Sequence, residues 1–189
     1  MIGLPGIAQA FADWVTSAID EQISVQAPVP LVAVDMSKVM ASTPDASKED
    51  LAKLSNTKLL AARDASGVYM VLRIGSDIPG ADFRQQRDRT EFFTGYISSM
   101  VERDQGYLLE RAPFTINGME GVDFKYKGLH QFTKKMVVKY GRVLFVDKLC
   151  YSVSFIPANL QDSTGTSGSQ ERIRFFQSIA VKPAALPKK

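Results

Sequence analysis

At 189 residues, with 45% hydrophobic and 23% charged side chains, the chain has the composition of one globular domain, which excludes a disordered or collagen-like polypeptide. A chain of about 150 residues buries roughly 68–70% of its unfolded surface, so neither a metal nor a disulfide is needed to hold it together. The net charge of +3 is too small to mark a nucleic-acid binder, the single Cys150 rules out an internal disulfide or thiolate metal cage, and no apolar run reaches the roughly 18–20 residues of a membrane span.

Met1 to Ala12 is uncharged and mostly apolar, and it ends in two small-x-small triplets, Ala8-Gln9-Ala10 and Ala10-Phe11-Ala12. It reads as the back half of a secretory signal without its basic front, which puts the protein in the periplasm or outside the cell, with the cytoplasm as the alternative. The competing reading is an amphipathic first helix, because Ile7, Phe11, Trp14, Val15, Ala18 and Ile19 share one face at helical spacing. Residues 1–20 are therefore set apart as an N-terminal segment, 21–182 as a single domain and 183–189 as a tail.

A short strand, Gln22 to Gln26, is stopped by Pro28 and Pro30, which cannot donate to a ladder. Ser47 to Asp50 approximates a capping box opening a short helix through Leu51 and Leu54. Thr57 to Arg63 and Val68 to Ile74 form a hairpin around a turn ending at Gly67, and Gly75 to Gly80 breaks the strand. Asp82 is placed to cap the main amphipathic helix, expected over 84–103, with Phe92, Phe93, Tyr96, Ile97, Met100 and Val101 on its apolar side.

Strands then run to Pro157, with Asn117-Gly118 as the strongest hairpin signal. Val122, Phe124 and Tyr126 alternate with Asp123, Lys125 and Lys127, and Leu149, Tyr151, Val153 and Phe155 alternate with Cys150, Ser152, Ser154 and Ile156. Between them, Phe132 to Val146 is extended and broken by a bulge or turn at Gly141. A last helix, Gln170 to Ser178, turns Ile173, Phe176 and Ile179 inward. The predicted class is α+β, an antiparallel β-sheet with helices packed on its faces. One core cluster is expected to join Tyr151, Phe155, Phe175 or Phe176, and Phe93.

Three features, Ile23-Ser-Val-Gln-Ala-Pro28, the Gly118-x-x-Gly121 segment, and Leu149 to Phe155 followed by Arg174-Phe-Phe-Gln-Ser-Ile179, resemble the PsbP-like superfamily over about residues 21–182. The family is an α/β/α sandwich that includes photosystem accessory proteins, small bacterial envelope proteins and a Ran-binding nuclear-import factor. The resemblance implies an accessory or binding protein without catalysis and an unknown protein partner. Its motifs are packing signatures, so no set of functional residues carries over to this chain.

The residues themselves offer little chemistry. His130 is the only histidine, set in a loop without a partner carboxylate or serine in a recognisable motif. Cys150 sits mid-strand as a packed, inert thiol. Gly118-Met-Glu-Gly121 and Gly165-Thr-Ser-Gly168 lack the Lys-Ser/Thr ending of a phosphate loop and a strand-to-helix setting. No catalytic set, metal site or cofactor is expected. The uneven feature is basic: Lys125, Lys127, Lys134, Lys135, Lys139, Arg142 and Lys148 face only Asp147 over 125–148. The first six are the candidate binding residues for an anionic ligand, such as nucleic acid, anionic lipid or an acidic protein. A solvated strand face that resists edge pairing is the competing account, and an enzyme assembled from distant residues the remaining one.

Overall fold

A computed structural model describes residues 13–35, 57–75, 83–130, 133–162 and 164–182. Ten strands and two helices follow in chain order among them: β1 Val15–Ala18, β2 Ile23–Ala27, β3 Val32–Ala33, β4 Lys58–Arg63, β5 Gly67–Gly75, α1 Gln86–Arg103, β6 Tyr107–Ile116, β7 Met119–Leu129, β8 Met136–Val146, β9 Leu149–Pro157, α2 Ser169–Gln177 and β10 Ala180–Val181. Seven strands form the main sheet in the order β3-β4-β5-β9-β8-β7-β6, every neighbouring pair antiparallel. The smaller sheet has the order β1-β2-β10.

Two tight links set the main register. Asn117 and Gly118 both adopt positive φ, 49° and 80°, and join β6 to β7 as the dipeptide predicted. Asp147, at φ 53°, turns β8 into β9.

The central strands β8 and β9 are buried on both sides. On one face Tyr69, Val71, Val138, Leu144, Tyr151, Val153 and Phe155 pack against Ile23 and Val25 of the small sheet and Phe175 of α2. Tyr69 sits at the centre, its ring 5.2 Å from that of Phe155 and 5.1 Å from that of Phe175, both edge-on. On the opposite face Phe93 and Ile97 of α1 cover Val122, Phe124, Val143, Phe145 and Cys150. Period-2 alternation therefore feeds two cores, each buried aromatic or aliphatic side chain contributing about 1.5–3 kcal/mol.

Several expectations change. Phe93 does not join Tyr151, Phe155 and Phe175, because α1 crosses the other face of the sheet. Over residues 15–18 the helical face is replaced by β1, which pairs Val15 with Ala27 and Ala18 with Ser24, so the fold starts before residue 21. Cross-strand hydrogen bonding to β2 outweighs the helical stripe over these residues. Gly141 is neither bulge nor turn: it pairs with Phe124 and Ser154 in unbroken register. The Phe124 ring lies where its Cβ would be, so the glycine makes room for an aromatic ring. Ile173 faces solvent, whereas Phe175 is fully buried and Ile179 nearly so. The helix α1 begins at Gln86 with Gln85 in the capping position, later than Asp82 implied. Residues 1–12, the helix predicted from Ser47, the break over 76–80, Asp82 and the tail at 183–189 lie outside the described residues.

Candidate functional site

The β6–β7–β8 corner of the sheet leaves a groove beside α2, of about 240 Å³, lined by Glu110, Ala112, Asp123, Lys125, Tyr140, Arg172 and Phe176 among others. Strand register builds its floor. Glu110 pairs with Lys125, which pairs in turn with Tyr140, and Ala112 pairs with Asp123, which pairs with Arg142, so these side chains stand on one face in two adjoining rows.

Each cation there has a distinct setting. Arg142 is held by Asp123 through two bonds, Nε to Oδ1 at 2.6 Å and Nη2 to Oδ2 at 2.9 Å, while Nη1 donates to the Phe176 carbonyl at 3.0 Å. Its guanidinium also lies 4.2 Å from the Phe114 ring centre. This bidentate fork locks Arg142 in place. Lys125 donates to Glu110 at 3.1 Å in a pair whose acid is largely exposed, an arrangement worth at most about 1 kcal/mol. Arg172 of α2 lies 3.8 Å above the Tyr140 ring, with Lys125 Nζ 5.8 Å from the same ring. No carboxylate pairs with Arg172 among the described residues.

The six basic residues do not form one patch. Lys125 and Arg142 share the groove face, but Lys139 pairs with Tyr126 and so stands on the other face, beneath the end of α1. It is 6% exposed and donates to Asp104 Oδ2 at 2.6 Å and to the Leu129 carbonyl at 2.9 Å. The Tyr126 hydroxyl donates to the same Asp104 oxygen at 2.8 Å. Burial raises the Asp104 carboxyl, but the bonds from Lys139 and Tyr126 and the lysine charge outweigh it, leaving the group below its ordinary value. Burial first, and then the Asp104 carboxylate, push the Tyr126 phenol up. Lys139 is thus structural. Lys127 lies on the groove face one row beyond Lys125, and Lys134 and Lys135 are exposed at the β7–β8 connection.

The remaining candidates fall where their chemistry is quiet. Cys150 is buried against the α1 core, and burial pushes its thiol up. His130 follows β7, its Nδ1 accepting from the Thr133 backbone at 3.3 Å. The segment 165–168 does link a strand to a helix, contrary to expectation, yet its donors are already taken. Asp162 accepts from the backbone N–H of Thr164 and Gly165, both at 2.9 Å, and from that of Ser167. The Thr164 hydroxyl and then these N–H groups hold the Asp162 carboxyl well below the usual range. An internal carboxylate occupies the place a phosphate would need.

Sequence reasoning missed Arg172. Its position on a helix gave no sign that it would reach a tyrosine on β8.

No protein-family model and no curated protein matches the chain. Among solved structures, it is similar to cyanobacterial PsbP (CyanoP) from Synechocystis sp. PCC 6803, with a TM-score of 0.58 at 13% identity, covering 96% of this chain and 99% of that one. A Bacteroides thetaiotaomicron protein gives 0.40 at 10% identity, covering 86% of this chain and 46% of its own. A Pseudomonas aeruginosa protein of unknown function, described as a putative regulator, gives 0.37 at 11% identity, covering 93% and 98%. The last two likenesses are too weak to argue from. With two cores on an antiparallel sheet and the close coverage of cyanobacterial PsbP, the chain has the PsbP-like fold that its strand and helix motifs resemble.

Proposed function

We propose that this chain is a non-enzymatic accessory protein that binds a partner protein, and that the groove beside α2 receives an acidic side chain of that partner. The observation that carries this reading is Arg172, stacked on Tyr140 and without a carboxylate among the described residues, next to a lysine whose own acid is exposed. A guanidinium held over an aromatic ring is preorganised for a carboxylate, so less side-chain freedom is lost when one docks. The groove volume, about 240 Å³, lies below the roughly 300–1,000 Å³ of small-molecule sites and suits a side chain or two. Against an enzyme, Asp104, Tyr126 and Cys150, whose ionisation is displaced, lie across the sheet from the groove, and Tyr69 and Tyr151, also displaced, are fully buried in the core. The same reading places the protein outside the cytoplasm, on the strength of the triplets at Ala8 to Ala12.

Capture on immobilised wild-type protein and on Arg172→Glu, at low and high salt, tests the site. A partner retained by wild type at low salt and lost with Arg172→Glu supports it. Equal retention by both overturns it. Cell fractionation tests the compartment, and a wholly cytosolic protein would end that part of the reading.

A further inference from the structure

We infer that the end of the main sheet where β6 begins and β7 meets β8 docks on an anionic lipid surface. Among the described residues four large apolar side chains stand exposed there: Tyr107 at 53%, Leu108 at 43%, Leu109 at 41% and Met136 at 36%. Register brings them to one end of the sheet, since Tyr107 pairs with Lys127, Leu108 with Tyr126, and Met136 with Leu129. The ladder slips between Leu108 and Glu110, which turns Leu109 out of the pleat.

At the end of β7 and on its link to β8 the charged side chains are lysines, and the acids that flank residues 105–109, Asp104 and Glu110, are paired with Lys139 and Lys125. Lys127, Lys134 and Lys135 lie on β7 and on the link to β8, and residues 105–109 and 127–136 contain no Asp or Glu. Hydrogen bonds from His130 N to the Lys135 carbonyl, at 2.8 Å, and from Lys134 N to the His130 carbonyl, at 2.9 Å, hold the two exposed lysines on a closed turn. Lys134 takes φ 54° to make it.

Exposed leucine, tyrosine and methionine ringed by lysines match the two layers of a bilayer surface. The apolar groups enter the acyl boundary, and the lysine stems let their ammonium groups reach the headgroup phosphates. An acidic protein would satisfy the lysines but leave the four apolar side chains to a matching hydrophobic patch, and an RNA would leave the leucines in water. A lipid surface answers both. The inference is independent of the groove, which lies nearer the middle of β6 and β7.

Vesicle sedimentation with the full chain tests it, using phosphatidylcholine alone and phosphatidylcholine with about 30 mol% phosphatidylglycerol. Binding is expected to the mixed vesicles, with release by high salt. Lys134→Gln/Lys135→Gln should lower the partition coefficient about thirtyfold, and Leu108→Ser/Leu109→Ser about tenfold, with melting temperatures unchanged because all four side chains are exposed. Lys148→Gln removes a single charge at the opposite end of β8 and should shift partitioning by less than about twofold, against about fivefold for each tip lysine changed alone. No binding to the mixed vesicles, equal binding to both kinds, or a loss with Lys148→Gln as large as with the tip variants would each overturn the inference.

Discussion

The Lys139 ammonium meets the Asp104 carboxylate at 2.6 Å with both side chains almost closed to water. A lysine that the sequence placed among the candidate anion-binding residues is instead half of a buried ion pair joining the end of α1 to β8. Lys139→Met is expected to destabilise the protein by about 3–5 kcal/mol in urea unfolding, because Asp104 then stays buried without its counter-charge. Adding Asp104→Asn should recover part of that loss. A double variant no more stable than Lys139→Met would show that stranded charge is not the cause.

Acid should expose the same pair. The Asp104 carboxyl is lower in the folded chain than its ordinary value near about 3.9, so its contribution is complete above that pH and is lost as pH falls towards the folded value. Asp162 acts with the same sign. Stability of the wild type measured downward from about pH 5 should therefore fall more steeply than that of Asp104→Asn, with Asp162→Asn removing a separate part of the slope. Parallel curves for wild type and Asp104→Asn would contradict the assignment.

Two cores on opposite faces make a prediction about additivity. Phe155→Ala should cost about 3–5 kcal/mol, since its ring is fully buried against Tyr69. The milder changes Phe155→Leu and Phe93→Leu should add to within about 0.5 kcal/mol, because the sheet separates them. Strong coupling in denaturant melts would mean that α1 shares a core with α2 after all.

The thiol reports on the second core directly. Cys150 is buried and burial raises its pKa, so an aromatic disulfide reagent at pH 8 should react with it only as fast as the α1 face opens. Phe93→Ala should speed that reaction, whereas Phe155→Leu should do so only through its effect on global stability. Immediate reaction in the wild type would place the sulfur at the surface.

Much of the frame is local and was therefore legible. Asn117-Gly118 dictates its own turn, since only residues tolerant of positive φ fit there, and the alternations in β7 and β9 announce strands with two unlike faces. The apolar stripe of α1 marks a helix and the side it buries. What period-2 spacing cannot say is which element covers each face, and so Phe93 was assigned to the wrong core. The same limit hid the two-residue strands β3 and β10, and β1, whose pairing outweighs a helical stripe. None of the three is long enough to declare itself before a partner strand is in place. For the basic residues the sequence determined the charge excess, while register alone decided its use: Arg142 opposite Asp123, Lys125 opposite Tyr140 beneath Arg172, and Lys139 turned to Asp104. A charge takes its role from partners tens of residues away, and only the folded sheet brings them within reach.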